Sequence, residues 1–139
     1  MISELQKLAA KYQIAAIYAF GSRAKEIYSL VQGEDVHSEF PDSDVDIGIL
    51  PTVDKRLTLR EKVKIAAQLE DLFEAPRVDL VVLPEASPFL ALEIVRGELL
   101  LAADPDLEAE YQLYVLRRVG DLAGWEKERQ RMLLLGEAI

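Results

Sequence analysis

The sequence has no cysteine. That excludes a disulfide framework and any thiolate metal site, and it suits a reducing cytosol. Long apolar runs are missing too. The longest are strand-sized, far short of the ~20 residues that a membrane helix needs, so no segment is expected to cross a bilayer. Positive charge is scarce: 16 Lys and Arg stand against 25 Asp and Glu, for a net charge of −9. Phosphate backbones favour a basic surface, so direct nucleic-acid binding is not expected. An acidic chain can still take a nucleotide through a divalent cation, and its charge either steers it toward a basic partner or only keeps it in solution. The single histidine, His37, falls in a polar stretch and reads as a surface residue. No repeat or low-complexity segment occurs. The N-terminal "MISELQKLAAKYQ" carries Glu4, Lys7 and Lys11 among its apolar positions, the pattern of an amphipathic helix and not of a signal peptide. A cytoplasmic protein is expected.

What is present is enough for one domain with its own core: 139 residues, half of them apolar. Ile2, Leu5, Leu8, Ala9 and Tyr12 recur at helical spacing. "IAAIYAF" (14–20) reads as a buried strand ending at Gly21, and "SRAKEIYSLV" (22–31) as a helix opening at Ser22. The polar "QGEDVHSEFPDS" (32–43) reads as loop and "DVDIGILP" (44–51) as a strand. Thr58 and Glu61 form a capping box, and the helix after it runs to about Glu74 with Leu59, Val63, Ala66, Leu69 and Phe73 inward. "RVDLVVL" (77–83) is a third strand, Ser87-Pro88 starts a helix that ends before Gly97, and "ELLLA" (98–102) is a short fourth strand. Asp104-Pro105 opens a last helix running past Trp125, which Gly120 and Gly124 weaken or bend. Strands alternating with helices predict an α+β domain of αβα type, a small mixed sheet flanked by helices with a C-terminal helix.

Asp44 and Asp46 stand two apart on a predicted strand, so both side chains share a face while Val45 and Ile47 point into the core. Two carboxylates on one face repel unless a cation lies between them, and Mg²⁺ commonly takes one or two carboxylates together with phosphate oxygens. Asp79 interrupts an otherwise buried strand, where an isolated carboxylate is expensive. If that strand pairs with 44–51, Asp79 joins the other two, and three carboxylates suit a pair of cations in phosphoryl transfer. The plainer alternative has Asp44 capping a turn and Asp79 on an exposed edge. Gly21-Ser22 favours the first, because glycine after a strand lets a ligand approach the backbone and Ser22 would sit where free N–H groups favour phosphate. Arg23 could add a charge-assisted contact.

Taken together, "FGSRA" (20–24), "DSDVDIGIL" (42–50) and "VDLVVL" (78–83) resemble the minimal nucleotidyltransferases, a branch of the DNA polymerase β-like nucleotidyltransferase superfamily. The motif in that family is Gly-Ser, a short helix, Asp-x-Asp, and a third carboxylate on a later strand. The resemblance implies the polymerase β-like fold, with a catalytic core over about 14–103 and a C-terminal helical segment over about 104–136. It implies that Asp44 and Asp46 bind two Mg²⁺ ions holding the triphosphate of ATP or another NTP. Asp79 would complete the metal site and act toward the attacking hydroxyl. Gly21 and Ser22, with Arg23 as a weaker candidate, would grip the phosphates.

One stretch departs from the family. Members typically carry "GSRARG" and then, after a few residues, the Asp triplet; here Lys25-Glu26 replaces Arg-Gly and "IYSLVQGEDVHSEF" lengthens the connection. It is either a tolerated surface insertion or a lid or partner contact beside the nucleotide. Small members of the family pair with a helical HEPN-domain toxin, and the nucleotidyltransferase is the antitoxin. The resemblance therefore implies a protein adenylyltransferase that moves AMP to a tyrosine of such a partner, in a type VII-like toxin–antitoxin pair. Two alternatives stay open: a binding module that neutralises its partner by occlusion, and a small-molecule (antibiotic) nucleotidyltransferase. The C-terminal "EYQLYVLRRVGDLAGWEKERQRMLLLGEAI", with Trp125, Met132 and Leu133 to Leu135, either covers the domain's own core or offers an interface for a partner or a second copy. Tyr111 and Tyr114 are expected to pack, not to act as acceptors.

Overall fold

The apolar run "IAAIYAF" forms β1 (Ile14–Phe20), and all seven of its residues are buried. A strand buried on both faces needs cover on each side of its sheet. The structure, a computed structural model, describes residues 1–134 apart from the side chain of Trp125. Three further strands, β2 (Val45–Pro51), β3 (Val78–Val82) and β4 (Glu98–Ala102), join β1 in a mixed sheet of order β3-β2-β1-β4. β1 is antiparallel to both β2 and β4, and β2 is parallel to β3. Among the described residues five α-helices flank it: α1 (Ile2–Tyr12), α2 (Ala24–Val31), α3 (Leu59–Phe73), α4 (Pro88–Val95) and α5 (Pro105–Leu134). None is long and apolar enough to cross a membrane.

The core is double. On one face Leu5, Leu8 and Tyr12 of α1, Ile27 of α2 and Ile65, Leu69 and Phe73 of α3 meet Ile17 of β1 and Val45, Ile47 and Ile49 of β2. On the other, Tyr18 and Phe20 of β1 and Leu50 of β2 meet Ala91 and Ile94 of α4 and Val115 of α5. Fully burying one such Leu or Ile stabilises by about 1.5–3 kcal/mol. Both faces carry this weight, and a register shift between Ile14 and Ala16 resets the alternation of β1 so that both are filled.

The capping box forms: the Thr58 hydroxyl accepts from the Glu61 N–H at 3.1 Å, and the Glu61 carboxylate accepts from the Thr58 N–H at 3.0 Å. The inward face of α3 differs from the expected one. Leu69 and Phe73 are buried, but Leu59 and Val63 are 77% and 60% exposed, and Ile65 takes the inward place. At ~100° per residue Val63 stands about 120° round the helix from Leu69, whereas Ile65 and Phe73 lie within about 40° of it.

α2 begins at Ala24, not at Ser22. Gly21 has φ +75°, and the Ala24 N–H reaches back to the Gly21 carbonyl at 3.3 Å, so Ser22 and Arg23 belong to a turn. α5 opens as expected, with the Asp104 carboxylate accepting from the Leu107 N–H at 3.1 Å, and it continues through Gly120 and Gly124. Leu107, Tyr111, Val115 and Val119 of α5 pack on the second core, while Leu113, Tyr114, Leu116, Leu122, Leu133 and Leu134 are exposed. Tyr18, wholly buried in β1, donates its hydroxyl to the buried Glu108 carboxylate, and the Gln112 amide donates to the same group. Burial first, and the Glu108 hydrogen bond second, push the Tyr18 hydroxyl pKa up. Leu135 and residue 136 lie outside the described residues.

On the second face of β2, Gly48 lies under α4, and a Cβ there would collide with Ile94 Cγ2. Gly48→Ala should therefore destabilise the protein by about 1–3 kcal/mol. In urea unfolding, the same change on an Ile94→Ala background should cost clearly less, because the two side chains compete for one volume.

Candidate active site

The parallel pairing of β2 with β3 places Val45 opposite Val78, Asp46 opposite Asp79 and Ile47 opposite Leu80. Side chains alternate along both strands, so Val45, Ile47, Val78 and Leu80 enter the first core while Asp46 and Asp79 share the opposite face. Asp44, two residues before Asp46, stands exposed at the entrance to β2. On the other side Phe20, the last residue of β1, pairs with Asp46, which brings the Gly21-Ser22 turn against the carboxylates. A Cβ on Gly21 would strike Asp46 Oδ2, and its φ of +75° is one that other residues rarely adopt. Glycine is thus required here twice, by backbone angle and by space.

The charges interact. Asp46 is partly buried, and its pKa is raised, first by that burial and then by the negative charges of Asp79, Asp44 and Glu93. Glu93 projects from α4 and was not foreseen, since its place in sequence gives no sign that α4 lies over this end of the sheet. Asp79 has a cation of its own: Arg77 Nη2 lies 3.0 Å from its Oδ1, with side chains 68% and 40% exposed. Arg77 was also missed, although its spacing of two from Asp79 puts both on one strand face.

Gly21 and Ser22 are exposed at the mouth of this face, and Ser22 makes no cap to α2. Arg23 is placed otherwise. It is only 6% exposed, and its guanidinium is taken up by Glu26 Oε2, at 3.1 Å from Nε and 2.6 Å from Nη2, and by the Ser43 carbonyl at 2.6 Å from Nη1. His37 is exposed in the 32–44 connection.

Among the described residues no three His, Cys, Asp or Glu side chains are gathered so that they could hold a metal ion by themselves. The donor set is still of the right kind for Mg²⁺. The Asp46 and Asp79 carboxylates stand in register, the charges of Asp44 and Glu93 add to the negative field at Asp46, and Gly21 keeps the turn beside them free of a side chain. Mg²⁺ usually completes its shell with water and substrate phosphates and seldom uses an all-protein cage. These residues suit a cation that arrives with a triphosphate.

The family description "Polymerase beta, Nucleotidyltransferase" matches residues 3–106, most of the chain. The chain belongs to the polymerase beta nucleotidyltransferase family. No curated protein matches it. Among solved structures, a chain of a toxin–antitoxin complex with AMP-PNP is 25% identical, with TM-score 0.62 over 99% of this chain and 98% of that one. A chain of the MntA–HepT toxin–antitoxin complex is 22% identical, with TM-score 0.61 over 99% and 97%. A chain of the complex between tri-AMPylated HEPN toxin of Shewanella oneidensis and its MNT antitoxin is 22% identical, with TM-score 0.56 over 99% and 96%. The polymerase β-like fold read from the motifs is the fold of this nucleotidyltransferase.

The raised pKa of Asp46 gives a stability test. Its ionised form costs folding free energy above the folded-state pKa, and the cost shrinks as pH falls below that value and is gone below the ordinary value of the unfolded chain. Asp46→Asn should therefore raise Tm in metal-free buffer at neutral pH by a few degrees. At about pH 3 most carboxyls are protonated and the gain should vanish, which melting curves of the two proteins would show. Gly21→Ala should lower stability by about 1 kcal/mol or more in the same melts.

Proposed function

We propose that this nucleotidyltransferase transfers AMP from ATP to a hydroxyl of a protein partner, a tyrosine of a HEPN-type helical toxin, and so acts as the antitoxin of the pair. The observation that carries the reading is the meeting of Asp46, Asp79 and the Gly21 turn at one end of the sheet. Likeness to a chain of a toxin–antitoxin complex with AMP-PNP, and to a chain of a tri-AMPylated HEPN toxin–antitoxin complex, supports the nucleotide and the partner. The reading places the protein in the cytoplasm.

In this mechanism Asp44 and Asp46 hold the cations that bind the triphosphate. When bound, Mg²⁺ would supply neutralisation of the charge on the phosphoryl oxygens. Gly21 lets the phosphates approach the backbone, and the N–H groups and hydroxyl at Ser22 donate to them. Asp79, on an edge strand, faces the acceptor. The acceptor oxygen attacks the α-phosphorus, the bond from that phosphorus to the bridging oxygen breaks, and pyrophosphate leaves with the electron pair. Asp79 takes the hydroxyl proton, which requires Arg77 to yield its present contact.

A second reading, neutralisation by occlusion alone, is favoured by the exposed Leu113, Leu116, Leu122, Leu133 and Leu134 of α5. Incubation with labelled ATP, Mg²⁺ and a co-expressed helical partner separates the two. Label on the partner is expected, lost about 100-fold or more with Asp44→Asn and Asp46→Asn together, since the cation supplies several kcal/mol of transition-state stabilisation. If the double variant still neutralises the partner fully, occlusion is the function. If no protein or small acceptor takes label, transfer is wrong.

A further inference from the structure

Asp44 follows a connection of 12 residues, 32–43, that carries no regular helix or strand. Such a segment would leave a carboxylate at its end poorly placed unless something held it. Arg23 holds it. Its Nη1 donates to the Ser43 carbonyl, the peptide group that leads into Asp44, while Nε and Nη2 grip Glu26 in the first turn of α2. The guanidinium therefore bridges the turn after Gly21-Ser22 to the residue before Asp44, 20 positions later in the chain. Burial alone would raise the pKa of Glu26, but the hydrogen bonds and charge of Arg23 outweigh it and lower the value. Ser38, in the middle of the connection, buries its hydroxyl without a hydrogen-bond partner, so the clamp acts at the end of the connection.

We infer that Arg23, with Glu26, is a positioning residue that clamps the long connection and so sets Asp44 relative to the Gly21-Ser22 turn, and that it does not itself bind phosphate. Each of the three guanidinium nitrogens already has a partner in a nearly sealed position, and a planar fork is what a carboxylate and a carbonyl on two sides require. Glu26 is one of the two residues by which this chain leaves the "GSRARG" pattern, and the connection it helps to seat is the other departure. The clamp couples those two departures. Its bearing on the cation rests on the reading of Asp44 as a ligand given above.

The test uses Mn²⁺ binding to the full chain with a non-hydrolysable ATP analogue, followed by electron paramagnetic resonance, together with amide exchange over 36–45. Arg23→Met and Glu26→Ala should each weaken Mn²⁺ binding about tenfold, as loss of an outer partner of a ligand does. Both should quicken exchange at the Ser43 and Val45 amides. The double variant should be no worse than the more affected single one, because one clamp is broken either way. Arg23→Lys should recover part of the loss. Glu26→Gln, which keeps a neutral acceptor, should give smaller effects in the same direction and carries the test if a larger change unfolds the chain. Unchanged Mn²⁺ binding and exchange in the Glu26 variants would overturn the clamp. So would an Arg23→Met protein whose only defect is a raised KM for ATP. A failure of AMP transfer to every acceptor would sink the proposed activity and leave the exchange result standing, so the two fail separately.

Discussion

Repulsion between Asp46 and Asp79 is the constraint around which the sheet is built. Two carboxylates in register on adjacent strands push the strands apart at that end, and Asp44 and Glu93 add to the same negative field. What opposes them is on the reverse face. Val45, Ile47 and Ile49 of β2 and Val78 and Val82 of β3 are buried against α3 and α1. A one-residue slip of β3 would turn these side chains out and the carboxylate in, at a cost no electrostatic relief would match. The apolar face therefore fixes the register, and the register fixes the acidic pair. Strain at the site is sustained by burial elsewhere, as is common where function needs unfavourable charge.

The supports around this pair are of three kinds. Gly21 gives way sterically, since any larger residue would collide with the Asp46 carboxylate. Arg77 gives partial charge compensation to Asp79 from an exposed position, where screening by water keeps it weak and displaceable. Arg23 works from a buried position through three donors, so its contacts are directional and persistent. The two arginines thus differ in kind. One is a counter-ion that can leave, and the other is part of the frame.

α5 joins the frame only over its first half. The Tyr18–Glu108–Gln112 contacts and the packing of Leu107, Tyr111 and Val115 tie that half to β1 and α4. Beyond Val119 the described helix turns few side chains to the domain, so it reaches outward with its leucines exposed. The beginning of this segment covers the core, and the continuation is surface.

Local chemistry determined a good deal. The elements and their order follow from apolar periodicity, from the Thr58–Glu61 and Ser87-Pro88 helix starts and from turn residues, all of which act over a few positions. That Asp44 and Asp46 share a face follows from strand period alone. What sequence could not decide lies between distant segments. Leu59 and Val63 belong to the apolar set of α3, yet the buried arc is the one through Ile65, Leu69 and Phe73, and they stay in water. Arg23 looks like a free phosphate contact beside Gly-Ser until the chain returns 20 residues later and offers it the Ser43 carbonyl. Glu93 became a neighbour of the acidic pair only through the placement of α4, whereas Arg77 was within reach of strand period alone. Sequence sets which groups exist and which face of an element each one takes. Which of them meet is set by packing of the two cores, because only there does burying one surface exclude every other register.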